Sequence, residues 1–134
     1  MTIRTVADTH TLIWYIFDDP RLASTARLEM DTAVANGEQI AVSSISLLEM
    51  VYLVDKRRIA AKVFDGVFEV LDDPNPLFLE IFCDRSIAQT MRRVDRAQVP
   101  DLPDRIIAAT AVHLDVPLIS RDSKIRSSSV PTIW

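Results

Sequence analysis

Four acidic residues, Asp8, Glu49, Asp104 and Asp122, stand where an alternating strand-and-helix chain delivers its chemistry, and Asp101 stands beside the third. Asp8 closes the apolar run "IRTVA" and is followed by Thr9, His10 and a second apolar run. Asp122 lies just beyond "VPLIS", whose last residue is Ser120. Asp101 and Asp104 sit in "VPDLPD", directly ahead of "RIIAATA", and Glu49 falls in the first turn of a helix expected after "QIAVS". Carboxylates gathered in one place repel one another and lose hydration, which raises their pKa values unless a cation is present. Oxygen ligands suit hard divalent ions, Mg2+ or Mn2+. The two histidines, His10 and His113, form no zinc spacing. An ion held this way serves phosphoryl chemistry: it polarises the phosphate, acidifies a bound water and stabilises the leaving oxygen.

These acids are far apart in the chain, so only the fold can bring them together. Each also has a plainer use. Asp8 can cap the helix that follows it, and Asp104 directly precedes a strong helix, the place of an N-cap. Glu49 comes three residues after Ser46, the spacing of a capping box. Asp122 can be an ordinary turn residue. The plainer uses lose ground together, because several of the acids fall at the same edge of the expected sheet.

That sheet is read from alternation. Strands are expected over 3–7, 39–43, 77–82, 116–120 and 131–134. Helices are expected over 11–17, 25–36, 46–54, 59–71, 86–93 and 105–114, with Gly37 as a stop signal and Pro74 and Pro76 as breaks. Short apolar strands separated by helices predict an α/β fold, a parallel sheet covered on both faces. Ligands then bind beyond the carboxyl ends of the strands, near a topological switch point. With no repeat, linker or low-complexity tract, residues 1–134 are expected to form one domain.

Composition bounds the function. The chain is 49% apolar and 25% charged with only two glycines, which is globular and helix-rich. No apolar stretch reaches the ~20 residues of a membrane span, and no signal peptide is visible. The lone Cys83 has no internal partner and fits a reducing, cytoplasmic setting. A net charge of −4 counts against a plain nucleic-acid-binding module but less against an enzyme whose acids hold metal. No glycine-rich phosphate loop is present. Thr9 and Ser120 are candidates for holding a water or a phosphate oxygen. Arg105, Arg121 and Lys124, within the basic C-terminal half, are candidates for an RNA backbone, with solvated faces as the plainer reading. His10 reads mainly as a packing residue at the strand–helix corner.

The blocks "VADTHTLIWYIFDDPRLA", "VSSISLLEMVYLVDKRRI", "VPDLPDRIIAATA" and "LISRDSKIRSSSVPTIW" resemble, in order, those of PIN-domain proteins, above all the VapC-type toxins of bacterial toxin–antitoxin pairs. The resemblance runs nearly end to end and is weakest between Ala60 and Arg96. It implies a three-layer α/β/α sandwich with a central parallel sheet. It also implies a Mg2+- or Mn2+-dependent endoribonuclease acting on structured RNA such as tRNA or rRNA, a cognate VapB-like antitoxin and a homodimer. Carried over by position, Asp8, Glu49, Asp104 and Asp122 match the family's four acids. Asp8 and Asp104 are then direct metal ligands, Glu49 and Asp122 bind directly or through water, and Asp101 acts at most in the outer sphere. Many relatives have glycine-containing turns where this chain has "VDKRR" and "HLDVP". Met50, Tyr52 and Leu53 read as exposed apolar residues that a homodimer could cover, or as core. The rival readings are an inactive PIN-fold scaffold and a Mg2+-dependent phosphatase or receiver-like domain. The receiver is a poor fit, since it wants paired acids after the first strand.

Overall fold

A computed structural model describes residues 2–134. Its five strands are β1 (Ile3–Ala7), β2 (Gln39–Ser43), β3 (Phe78–Ile81), β4 (Leu118–Ile119) and β5 (Thr132–Ile133). All pairings are parallel, in the order β3-β2-β1-β4-β5. The chain therefore builds outward from β1 on one side, then returns to its other side. The reversal lies between β1 and β4, and the crevice it creates opens at their carboxyl ends.

Period-two alternation sends successive side chains to opposite faces of the sheet. Val6 aligns with Ala41 and with Leu118, and all three belong to one core cluster. Their neighbours Ala7, Ile40, Val42 and Ile119 belong to the other. The first layer is α1 (Thr9–Ile16), α2 (Ser24–Asn36), α3 (Ser44–Asp55) and α4 (Ala61–Leu71), which contribute Leu12, Met30, Met50 and Val67. The second is α5 (Arg85–Met91), α6 (Leu102–Leu114) and α7 (Ser123–Arg126), which contribute Ile87, Ile107 and Ile125. Both faces of the sheet are buried, so the expected three-layer α/β/α sandwich is what forms.

Several boundaries differ from the sequence reading for local reasons. α1 starts at Thr9 rather than at residue 11, because Asp8 caps it by accepting a hydrogen bond from the Thr11 amide at 3.0 Å. α6 starts three residues early, at Leu102. Pro103 falls in its first turn, where a missing amide hydrogen costs nothing. β4 and β5 shrink to two residues each, and α7, absent from the sequence reading, follows Asp122. Met50 is fully buried, not exposed, whereas Tyr52 is 69% exposed and Leu53 is half-buried. In the turns "VDKRR" and "HLDVP", this chain puts Arg57 at φ 58° and Asp115 at φ 55°. Both are left-handed conformations that favour glycine, adopted here by residues that carry a side chain.

Candidate active site

β1 and α1 together place Asp8. Its backbone amide donates to the Ile119 carbonyl at 3.2 Å, tying the end of β1 to the end of β4. Its side-chain oxygen Oδ1 is fixed by the cap to Thr11. Asp122 is held in the same way beyond β4. Its amide donates to the buried Ser120 hydroxyl at 3.1 Å, and its own Oδ1 accepts from the Ile125 amide at 3.0 Å to cap α7. Asp101, rather than Asp104, is the N-cap of α6, accepting from the Asp104 amide at 3.1 Å. Capping and site geometry are thus not rivals: each capping carboxylate commits one oxygen and leaves the other.

Asp104 and Glu49 are placed differently. Asp104 is the third residue of α6, inside its first turn. Glu49 lies in the second turn of α3, not the first, and it closes no capping box, since Ser43 caps that helix. Its Oε1 instead accepts a 2.6 Å hydrogen bond from Thr9 Oγ1. Ser46, one turn earlier on the same face, stands 2.9 Å from the same Thr9 oxygen.

All five acids line one cavity of about 460 Å³, together with Thr9, His10, Ile107, Arg121, Ser123 and Lys124. Crowding shows in their protonation. Desolvation first, and then Asp101, Asp122, Glu49 and Asp8, push the Asp104 carboxyl up to about 7. Glu49 is also raised, chiefly by desolvation, with Asp101 and Asp8 adding to it and the Thr9 hydroxyl opposing. Among the described residues, none of the five forms an ion pair with Lys, Arg or His. The donor set is all oxygen and short of positive charge, which fits a hard divalent cation in kind. Among the described residues, however, no three Asp, Glu, His or Cys side chains close on a point where an ion would sit. The acids surround the cavity without forming a finished cage.

The remaining candidates divide. Arg121 lines the cavity with its guanidinium over the buried Trp14 ring, 4.7 Å from the centroid, and Lys124 lines it from α7. His10 stands exposed at the rim, its ring 5.4 Å from that of Trp14. Desolvation, helped by Arg121 and Arg21 against Asp8, pulls its pKa below the ordinary histidine value. Thr9 is buried and occupied by Glu49, and Ser120 is buried beneath the Asp122 amide. Arg105 does not line the cavity. It donates to the Val94 and Met91 carbonyls at 3.0 and 3.1 Å, pinning the loop after α5 to α6. Trp14, as a platform beneath Arg121, went unnoticed in the sequence, where it reads only as part of an apolar helix.

The model of the PIN domain family matches residues 5–129. Ribonuclease VapC22 of Mycobacterium tuberculosis is 26% identical over 130 residues, covering 95% of each chain. Among solved structures, the VapBC2 complex of Rickettsia felis bound to a promoter DNA fragment superposes with a TM-score of 0.71 at 17% identity, over 97% of each chain. A toxin–antitoxin complex from Klebsiella pneumoniae gives 0.64 at 22% identity, over 97% of this chain and 96% of that one. FitAcB of Neisseria gonorrhoeae gives 0.65 at 20% identity, over 96% and 95%.

Proposed function

This chain belongs to the PIN domain family, and from that premise we propose that it is a metal-dependent endoribonuclease, the toxin of a toxin–antitoxin pair. The observation that carries the reading is the convergence of Asp8, Glu49, Asp101, Asp104 and Asp122 on one cavity at the switch point of the sheet. Support for the activity comes from the relative named a ribonuclease, and support for the pairing from structural neighbours that are toxin–antitoxin complexes.

Asp8 and Asp104 would hold Mg2+ or Mn2+ directly, Glu49 and Asp122 directly or through water, and Asp101 through water. The bound ion would polarise the scissile phosphodiester, acidify a water and stabilise the leaving oxygen. The protein's own part is positional. The caps keep Asp8 and Asp122 from rotating, and Arg121 and Lys124 supply the positive charge that a polyanionic RNA needs beside an acidic floor. Trp14 holds the Arg121 guanidinium at the rim. The partner in the pair would be a VapB-like antitoxin. Leu48, Val51 and Tyr52, all exposed on α3, supply apolar surface for it or for a homodimer.

The test is cleavage of a tRNA pool and of rRNA by the purified chain. Cleavage is expected with Mg2+ or Mn2+, is lost in EDTA and returns when either ion is added back. No cleavage with either ion, or cleavage that persists in EDTA, overturns the reading.

A further inference from the structure

We propose that Thr9, braced by Ser46, is a positioning residue that fixes the Glu49 carboxylate toward the acid cavity. The inference rests on the metal-site reading above. Thr9 is the first residue of α1, next to Asp8, while Ser46 and Glu49 lie one turn apart on α3. The Thr9 hydroxyl bridges the two helices, 2.6 Å from Glu49 Oε1 and 2.9 Å from Ser46 Oγ. Thr9 is 3% exposed and Ser46 is fully buried, so water does not compete for either bond.

Proton counting sets the direction of this relay. A hydroxyl has one proton to give, and an ionised carboxylate only accepts. With Glu49 ionised, the Thr9 proton goes to Glu49, and Ser46 turns its own proton to the Thr9 oxygen. Each bond in such a chain polarises the next, so the donor facing Glu49 is strengthened. Glu49 has three rotatable bonds between its carboxylate and α3, and nothing else among the described hydrogen bonds holds that carboxylate. Without Thr9 it is free to swing away from the other acids. The contact also couples two acids directly, because the same residue that holds Glu49 is bonded in sequence to Asp8.

A purely structural role would tie α1 to α3 and do nothing more. The two roles separate in metal affinity, measured by Mn2+ titration with electron paramagnetic resonance, alongside Tm. Thr9→Val keeps the side-chain shape and removes the donor. It is expected to weaken Mn2+ binding about 10-fold, the low end of the roughly 10–100-fold lost with groups that support a ligand. Thr9→Ser restores the hydroxyl and should bind within about 2-fold of the parent chain, because the same donor is present. Ser46→Ala, which removes only the brace, should fall between the two. The inference is overturned if Thr9→Val binds Mn2+ like the parent, or if Thr9→Ser binds as weakly as Thr9→Val. Should Thr9→Val not fold, unchanged affinity in Ser46→Ala overturns it. A parent chain that binds no Mn2+ brings down the metal reading and this inference together. A Thr9→Val equal to a binding parent brings down the inference alone.

Discussion

At the start of β1, Arg4 donates through Nε to Glu29 at 2.7 Å and through Nη1 to Glu38 at 2.9 Å, whereas just past its end Asp8 joins four other acids, none of which forms an ion pair among the described residues. Three residues of strand, Thr5 to Ala7, separate two opposite treatments of the same chemical group. Asn36 first and then Arg4 hold the Glu38 carboxyl below its ordinary value. Asp104, desolvated among like charges, is driven up to about 7. Folding alone rewards the first arrangement and penalises the second. Where a chain leaves carboxylates unpaired at its switch point, stability has been given up locally, and functional sites are where such departures gather.

The largest break in this contrast is expected from Asp8→Asn. Asparagine caps a helix as well as aspartate does, so the bond to the Thr11 amide survives and Tm stays close to that of the parent. RNA cleavage should fall by at least about 100-fold, beyond the loss typical of a group that merely supports a ligand. Full cleavage by this variant removes Asp8 from the site.

Asp104 gives the next effect, visible in stability rather than turnover. Its folded pKa of about 7 lies above its unfolded value, so the folded chain binds more protons between those limits. Stability of the metal-free chain therefore falls as pH rises from about 4 to about 7 and levels off above that. Discounted for the solvent that screens a half-buried group, the drop is on the order of 1 kcal/mol. Urea melts in EDTA across that range should show it, and Asp104→Asn should flatten the profile. A profile as steep in the variant as in the parent removes Asp104 as its source.

The smallest effect belongs to the other end of the strand. Arg4→Met strips the shared cation from Glu29 and Glu38, and should lower Tm slightly while leaving cleavage unchanged. Because the pairs are partly exposed, the Tm difference should shrink in 1 M salt, where the screening length is only ~3 Å. A loss of cleavage comparable to that of Asp8→Asn would show that the two ends are not independent.

Legibility in the sequence followed the reach of each signal. β1 and β2 were placed to the residue, because apolar runs bounded by polar residues are local information. The acids were singled out because strand ends are where such sheets keep their sites, and all of them line one cavity. What failed was assignment between neighbours: Asp104 read as the cap that Asp101 supplies, since a proline at the second helical position looked like loop. Ser46 and Glu49 matched a capping box in spacing, and the spacing was real. It puts both on one face of α3, but the group they address is Thr9, 37 residues from Ser46. No pattern within one helix reports a partner on another. The cradle of Trp14 beneath Arg121 was invisible for the same reason.

The order in which the acids occur along the chain gives the crevice between β1 and β4 a meaning in time. Asp8 is made before the other four acids of the cavity, and β1 then waits at the centre of a sheet whose far side is still missing. β4, and Asp122 beyond it, are made more than a hundred residues later. Closing that pair joins residues more than a hundred positions apart, among the slowest kinds of contact to form. A chain still growing on the ribosome therefore carries most of its acids but not the pocket they share. The pocket closes only once β4 has been made, and that order is written into the strand topology.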